Sequence, residues 1–167
     1  MKRSEMREQA FLLTFEGLFS SGQDIDEVIE LYSENVEAVS KYAKDVFVGV
    51  KGSINELDEI INKYSKSWKA ARLPKVTLAI LYVALYEMKN VEDVADSIAI
   101  NEAVELAKKY GVQLVVRSSL NESEGTIVKG VGKKMERMLI SGVALDREAD
   151  RISVIGIADV PGSAFKL

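Results

Sequence analysis

One stretch limits the folding options of this chain more than any other: "KVTLAILYVALYEM", residues 75–88. Pro74 precedes it, at the position where a proline suits the first turn of a helix, and apolar side chains then fall on nearly every side. A helix that is apolar all round has no face to offer water, so it must be the centre of something. It is shorter than the roughly 20 residues a membrane-spanning helix needs. The rest of the chain therefore has to supply the walls of a bundle.

Helical periodicity supplies them. Over residues 3–19, Met6, Ala10, Leu13 and Phe11, Phe15, Leu18 recur at three- and four-residue spacing, one apolar stripe along a first helix. A second helix is expected at 26–33, with Ile25, Ile29 and Tyr32 on one side. A third is expected at 40–50, closed by Gly52. Ser53-Ile54-Asn55-Glu56 then has the form of a capping box, opening a fourth helix that carries Ile54, Leu57, Ile60, Ile61 and Tyr64. The central helix is the fifth, and a sixth runs over 97–110 to a C-cap at Gly111.

Beyond Gly111 the period changes. Residues 113–117 are rich in β-branched side chains and 121–125 have turn chemistry, so 125–128 reads as a returning strand. Residues 133–138 read as helical, and 140–145 and 151–157 as two further strands. Asp159-Val160-Pro161-Gly162 is a turn into a helix that has run one turn by Leu167. Ile152, Val154, Ile155 and Ile157 make an apolar strand that must pair with 140–145, pair with another copy of the chain, or aggregate. A homo-oligomer through these C-terminal strands is thus one expectation. The fold class is mainly α, a helical bundle with a C-terminal α/β extension of several short strands.

The absence of Cys and His removes disulfides, thiolate nucleophiles, imidazole bases and the usual zinc sites. No catalytic, cofactor or metal residues are assigned, and the chain is not expected to be an enzyme. No signal peptide is evident in the charged first residues, so a cytoplasmic location is expected. A net charge of −4 confines any nucleic-acid contact to a local basic patch. Glu56, Asp58 and Glu59 read as a solvated helix face. Lys108 and Lys109 complement a helix C-terminus. "KGVGKK" at 129–134 lacks phosphate-loop spacing and reads as a connector, and Trp68, Tyr82 and Tyr86 read as core or near-core aromatics.

Two families resemble parts of the chain. "REQAFLLTFE", "GVKGSINELDEIINKYSKSW", "RLPKVTLAILYVALYE" and "SIAINEAVELAKKYG", within residues 1–111, resemble the NusB family of bacterial transcription antitermination factors. The resemblance implies an all-helical, RNA-binding protein that pairs with a small-subunit ribosomal protein on a boxA-like RNA. It also makes Lys2, Arg3 and Arg7 the expected RNA-contact residues, Arg3 and Arg7 being four residues apart on one helix face. The family usually shows an acid after the Val and an Arg after the "IL" of its central helix, where this chain has Thr77 and Tyr82. "IVKGVGKKM", residues 127–135, is a weak echo of the family's closing helix.

Residues 105–167, with "ELAKKYGVQLVVRSSLNESEGTIV" and "ERMLISGVALDREADRISVIGIADVPGSAFKL", are similar to aspartokinase from the end of its kinase domain into its first ACT domain. The family's Lys-Phe-Gly-Gly phosphate segment has no counterpart here, so kinase activity is not expected. The two resemblances overlap in the helix at 105–111. That places a seam there and divides the chain into 1–111, a NusB-like RNA-binding domain, and 112–167, a truncated aspartokinase/ACT-like segment. The expected function is an antitermination factor fused to a non-catalytic aspartokinase fragment. The alternatives are an artificial or recombinational chimera without evolved activity and an aspartokinase regulatory fragment.

Overall fold

The computed structural model describes residues 1–19, 24–65, 68–118, 124–129 and 150–154. In chain order the elements are α1 (Arg3–Gly17), α2 (Ile25–Asn35), α3 (Lys41–Tyr64), a 3-10 turn (Ala70–Arg72), α4 (Lys75–Asn90), α5 (Asp96–Lys109), β1 (Leu114–Ser118), β2 (Thr126–Val128) and β3 (Asp150–Val154). Among the described residues the protein is mainly α, with the strands gathered at the C-terminal end.

α4 occupies the centre, as its composition requires. Every residue from Val76 to Ala84 is buried, and α1, α3 and α5 all pack on this helix. α1 contributes Ala10, Phe11, Leu13 and Phe15, and α3 contributes Ala43, Val46, Phe47, Val50, Leu57 and Ile61 to the same core. At roughly 1.5–3 kcal/mol for each fully buried large apolar side chain, this burial is the main driving force for the fold. No helix among the described residues is long and apolar enough to cross a membrane.

α3 corrects the expectation of two helices. It is continuous through Gly52 and Ser53, so the Ser53–Glu56 capping box is not formed and Glu56 pairs instead with Lys89 of α4. The reason lies in the stripe. Ala43, Val46, Phe47, Val50, Leu57 and Ile61 stay on one face only if the helix runs on, and their burial outweighs the roughly 1 kcal/mol that a helical glycine costs. The real start lies at Ser40, whose hydroxyl accepts from the Ala43 amide at 3.2 Å.

α5 ends as its sequence dictates. Gly111 adopts φ 68°, the Val112 amide donates to the Ala107 carbonyl at 2.8 Å and the Gly111 amide to the Lys108 carbonyl at 3.4 Å. This is a Schellman closure, and it turns the chain into β1. β1 is the middle of a three-stranded antiparallel sheet of order β2-β1-β3. Leu114 faces Val128 across one edge and Val154 across the other. Of the strand expected at 151–157, the described part, β3, pairs with β1. The segments at 133–138, 140–145 and 155–167, including the Asp159–Gly162 turn, lie outside the described residues.

The sheet is not separate from the bundle. Val112, Leu114 and Val128 belong to the same buried cluster as α1, α3 and α4, so the core runs past Gly111.

Two glycines of α3 separate close approach from mere tolerance. A Cβ on Gly49 would sit closer to the Oη and Cζ of Tyr86 than real side chains approach, whereas a Cβ on Gly52 would meet nothing within 4 Å. Gly52→Ala should therefore raise stability by about 0.5–1 kcal/mol through helix propensity. Gly49→Ala should lower it by about 1 kcal/mol by unseating the Tyr86 ring. Urea unfolding of the two variants, with opposite shifts in midpoint, checks this.

Candidate nucleic-acid interface

The N-terminal end of α1 carries the three expected RNA-contact residues, Lys2 at the cap, Arg3 in the first turn and Arg7 in the second, and the structure separates them. Lys2 and Arg3 are exposed. The Lys2 amide donates to the Glu5 carboxylate at 2.7 Å, which closes the open end of α1 and leaves the Lys2 ammonium free to reach outward. The Arg3 guanidinium lies 3.8 Å from the centroid of the Tyr42 ring, a cation–π contact that fixes its position while leaving one face in solvent.

Arg7 is a different kind of residue. It is 2% exposed, and its Nε sits 2.8 Å from both carboxylate oxygens of Glu87 on α4. Its Nη1 lies 3.1 Å from Glu102 on α5. The expectation that Arg7 holds RNA phosphate is therefore replaced by a structural role: its charge is already spent on two carboxylates, beneath the surface that Lys2 and Arg3 present. Periodicity put Arg3 and Arg7 on one face, but it could not say that the face turns inward between them.

Glu87 is 0% exposed and is the one acid of α4. It also accepts from the Tyr42 hydroxyl. Arg3, Tyr42, Glu87, Arg7 and Glu102 thus form a chain of contacts across α1, α3, α4 and α5. Burial alone would lower the Arg7 pKa, yet the hydrogen bond and charge of Glu87 raise it, so the guanidinium keeps its charge. Burial and then the hydrogen bond to Glu87 push the Tyr42 phenol well above its ordinary value.

Two more tyrosines tie the bundle together in the same way. Tyr82 of α4 donates to Asp58 of α3, and Tyr110 at the end of α5 donates to Glu8 of α1. Lys109 bonds to Glu8 as well, at 2.7 Å, so besides its place at the helix end it locks α5 to α1. Tyr82 stands where the resemblance expects Arg, and the Asp58 contact makes it a helix-to-helix tie. Thr77, standing where an acid is expected, is fully buried with a hydroxyl that lacks a hydrogen-bond partner. The expectation of Trp68 as a core or near-core aromatic is corrected: this residue is 47% exposed.

Among the described residues no group of three or more His, Cys, Asp or Glu is arranged to hold a metal ion. Glu87, Glu102 and Glu8 are engaged by Arg7, Tyr42, Lys109 and Tyr110, so the charged groups left facing solvent at the start of α1 are Lys2, Arg3 and the capping acid Glu5.

The architecture is that of a small helical-bundle protein whose polar cluster joins its helices. The chain belongs to the NusB family, whose model matches residues 4–114. It is 40% identical over 73% of its length to a transcription antitermination protein NusB of Acetivibrio thermocellus, covering 78% of that protein. It is 34% identical over 78% of its length to one of Agathobacter rectalis, covering 96%. Among solved structures it is similar to T. maritima NusB, with a TM-score of 0.58 and 29% identity over 66% of this chain and 80% of that one. It is also similar to a chain in a crystal structure of antitermination factors NusB and NusE in complex with dsRNA. There the TM-score is 0.55 and the identity 25%, over 65% of this chain and 82% of that one.

Two expectations follow for stability. Arg7→Ala should cost about 3–5 kcal/mol, because Glu87 is left buried and unpaired, whereas Arg7→Met combined with Glu87→Leu should recover most of that loss; urea denaturation of the two variants decides. The second concerns alkali. Burial first, and then a hydrogen bond to a carboxylate, raise the phenols of Tyr42, Tyr82 and Tyr110 above the ordinary tyrosine value of about 10 in the folded chain. The unfolded state therefore loses its phenolic protons first as pH rises. The stability these groups contribute is complete below about pH 10 and declines above it. Denaturation midpoints should fall from about pH 10 upward, and Tyr42→Phe and Tyr82→Phe should each flatten that fall.

Proposed function

We propose that this protein is an RNA-binding transcription antitermination factor that acts with a NusE-type ribosomal protein partner on a boxA-like RNA in the cytoplasm. The observation that carries the reading is the likeness of the bundle to the NusB chain solved with NusE and dsRNA. The exposed cations at the start of α1 support it. Lys2 and Arg3 contact phosphate, and Arg7, through Glu87 and Glu102, holds the helix that presents them. No step of the function calls for a catalytic residue or a cofactor.

The C-terminal part is read separately. The similarity of 105–167 to aspartokinase rests on its sequence alone, and we propose it as a non-catalytic segment joined to the bundle. The sharing of Val112, Leu114 and Val128 with the bundle core supports a seam after Val128 rather than at Gly111. The alignment with the Agathobacter rectalis relative supports it too, since it takes in 78% of this chain where residues 1–111 are about two thirds of it.

The test is a gel shift with boxA-type RNA against a scrambled sequence across a salt series. The boxA RNA should bind preferentially and with salt-sensitive affinity. Lys2→Ala and Arg3→Ala should each reduce the slope of log affinity against log salt by about 0.7, the value for one phosphate contact on a single strand. Equal binding of the scrambled RNA, or an unchanged slope in both variants, overturns the assignment.

A further inference from the structure

The connection between α3 and α4 combines features that the bundle itself does not need. After Glu59 the next acidic residue in the sequence is Glu87, so this end of an otherwise acidic chain carries positive charge. Lys63, Lys69 and Arg72 are exposed there. So are two aromatic rings, Tyr64 at 48% and Trp68 at 47%. Both rings flank the same short turn, and apolar surface gathered in one place and rimmed by polar groups marks an interaction site.

The described residues on the two sides of the turn are tied to one another. The Ser65 hydroxyl donates to the Trp68 carbonyl at 2.5 Å, and the Ala70 amide donates to the Asn62 side-chain oxygen at 2.8 Å. Lys69 Nζ reaches the Asn62 carbonyl at 3.3 Å, and the 3-10 turn Ala70–Arg72 fixes the exit. Lys63 Nζ lies 5.2 Å from the Tyr64 ring centroid. Lys75, further along, is engaged with the Phe19 ring at 3.8 Å. Glu59, exposed one turn before Lys63, is the acid that borders the patch.

We infer that this turn is a second contact surface for single-stranded RNA, in which Trp68 and Tyr64 stack on bases while Lys69, Arg72 and Lys63 hold phosphates. Aromatic rings interleaved with cations form the general recognition surface for unpaired strands, because every base offers a π-face and every linkage a negative charge. An acidic protein surface would use the cations but leave the rings without a role. The surface is remote from the start of α1. Tyr42, which seats Arg3, and Tyr64 lie at opposite ends of α3, roughly 33 Å apart at 1.5 Å per residue. A short strand bound at one end therefore does not reach the other.

The inference rests on the RNA-binding reading for the class of ligand, but its test is independent of boxA preference. Trp68 is the single tryptophan of the chain, so its fluorescence reports this surface alone. Titration of the full chain with a short oligouridine should quench that emission, and the quench should reverse with salt. Lys2→Ala and Arg3→Ala should leave it in place even if they abolish boxA preference. Lys69→Ala with Arg72→Ala should lower the salt slope of this binding by about 1.4. Trp68→Ala should weaken oligouridine binding about tenfold, measured by anisotropy of labelled RNA, and Trp68→Phe should restore most of it. Circular dichroism melting of each variant, unchanged from the parent, excludes loss of fold as the cause. The inference is overturned if oligouridine leaves Trp68 emission unchanged, if poly-glutamate or anionic lipid vesicles quench it where oligouridine does not, or if Trp68→Phe binds as weakly as Trp68→Ala.

Discussion

The buried pair between Arg7 and Glu87 is the contact on which the rest of the bundle depends. α4 is apolar along almost its whole length, and such a helix is free to rotate or slide among apolar neighbours with little change in energy. One carboxylate placed in it removes that freedom. Glu87 is acceptable in the interior only where Arg7 and Tyr42 meet it, and those groups sit on α1 and α3. The rotation and the depth of the central helix are thereby fixed relative to both. Pairs of this kind add little net stability over an apolar replacement but make the wrong arrangements expensive.

The same pair explains how one end of the molecule becomes available to anions in a chain of net charge −4. Carboxylates near the start of α1 are taken up internally: Glu87 and Glu102 by Arg7, and Glu8 by Lys109 and Tyr110. Lys2 and Arg3 remain outside, with Glu5 beside them capping the helix. Local charge at the surface is thus set by which side chains are satisfied within the bundle, and the overall balance of residues is a poor guide to it.

The sheet extends the bundle rather than standing apart from it. The Schellman closure at Gly111 delivers β1 directly onto the helices, and Leu114 is fully buried there. With β2 on one edge and β3 on the other, β1 has no open edge over the residues it pairs. β3 thus pairs with β1 across a separation of more than thirty residues.

Much of the bundle was legible in the residues themselves. An all-apolar run after Pro74 dictates a buried central helix, three- and four-residue spacing dictates the walls, and Gly111 dictates where α5 stops, because each is a local consequence of helical geometry. Three things were decided only by the tertiary structure. Gly52 and Ser53 carry the marks of a helix boundary, but the buried stripe on either side carried α3 through them. Arg7 shares a helical face with Arg3, yet it is buried because α4 happens to place its one acid opposite. Trp68 has the character of a core residue, but it stands 47% exposed. At Gly52 a local preference worth about 1 kcal/mol was overruled by the burial of the stripe, and for Arg7 no single-sequence pattern encodes which distant residue will be the partner.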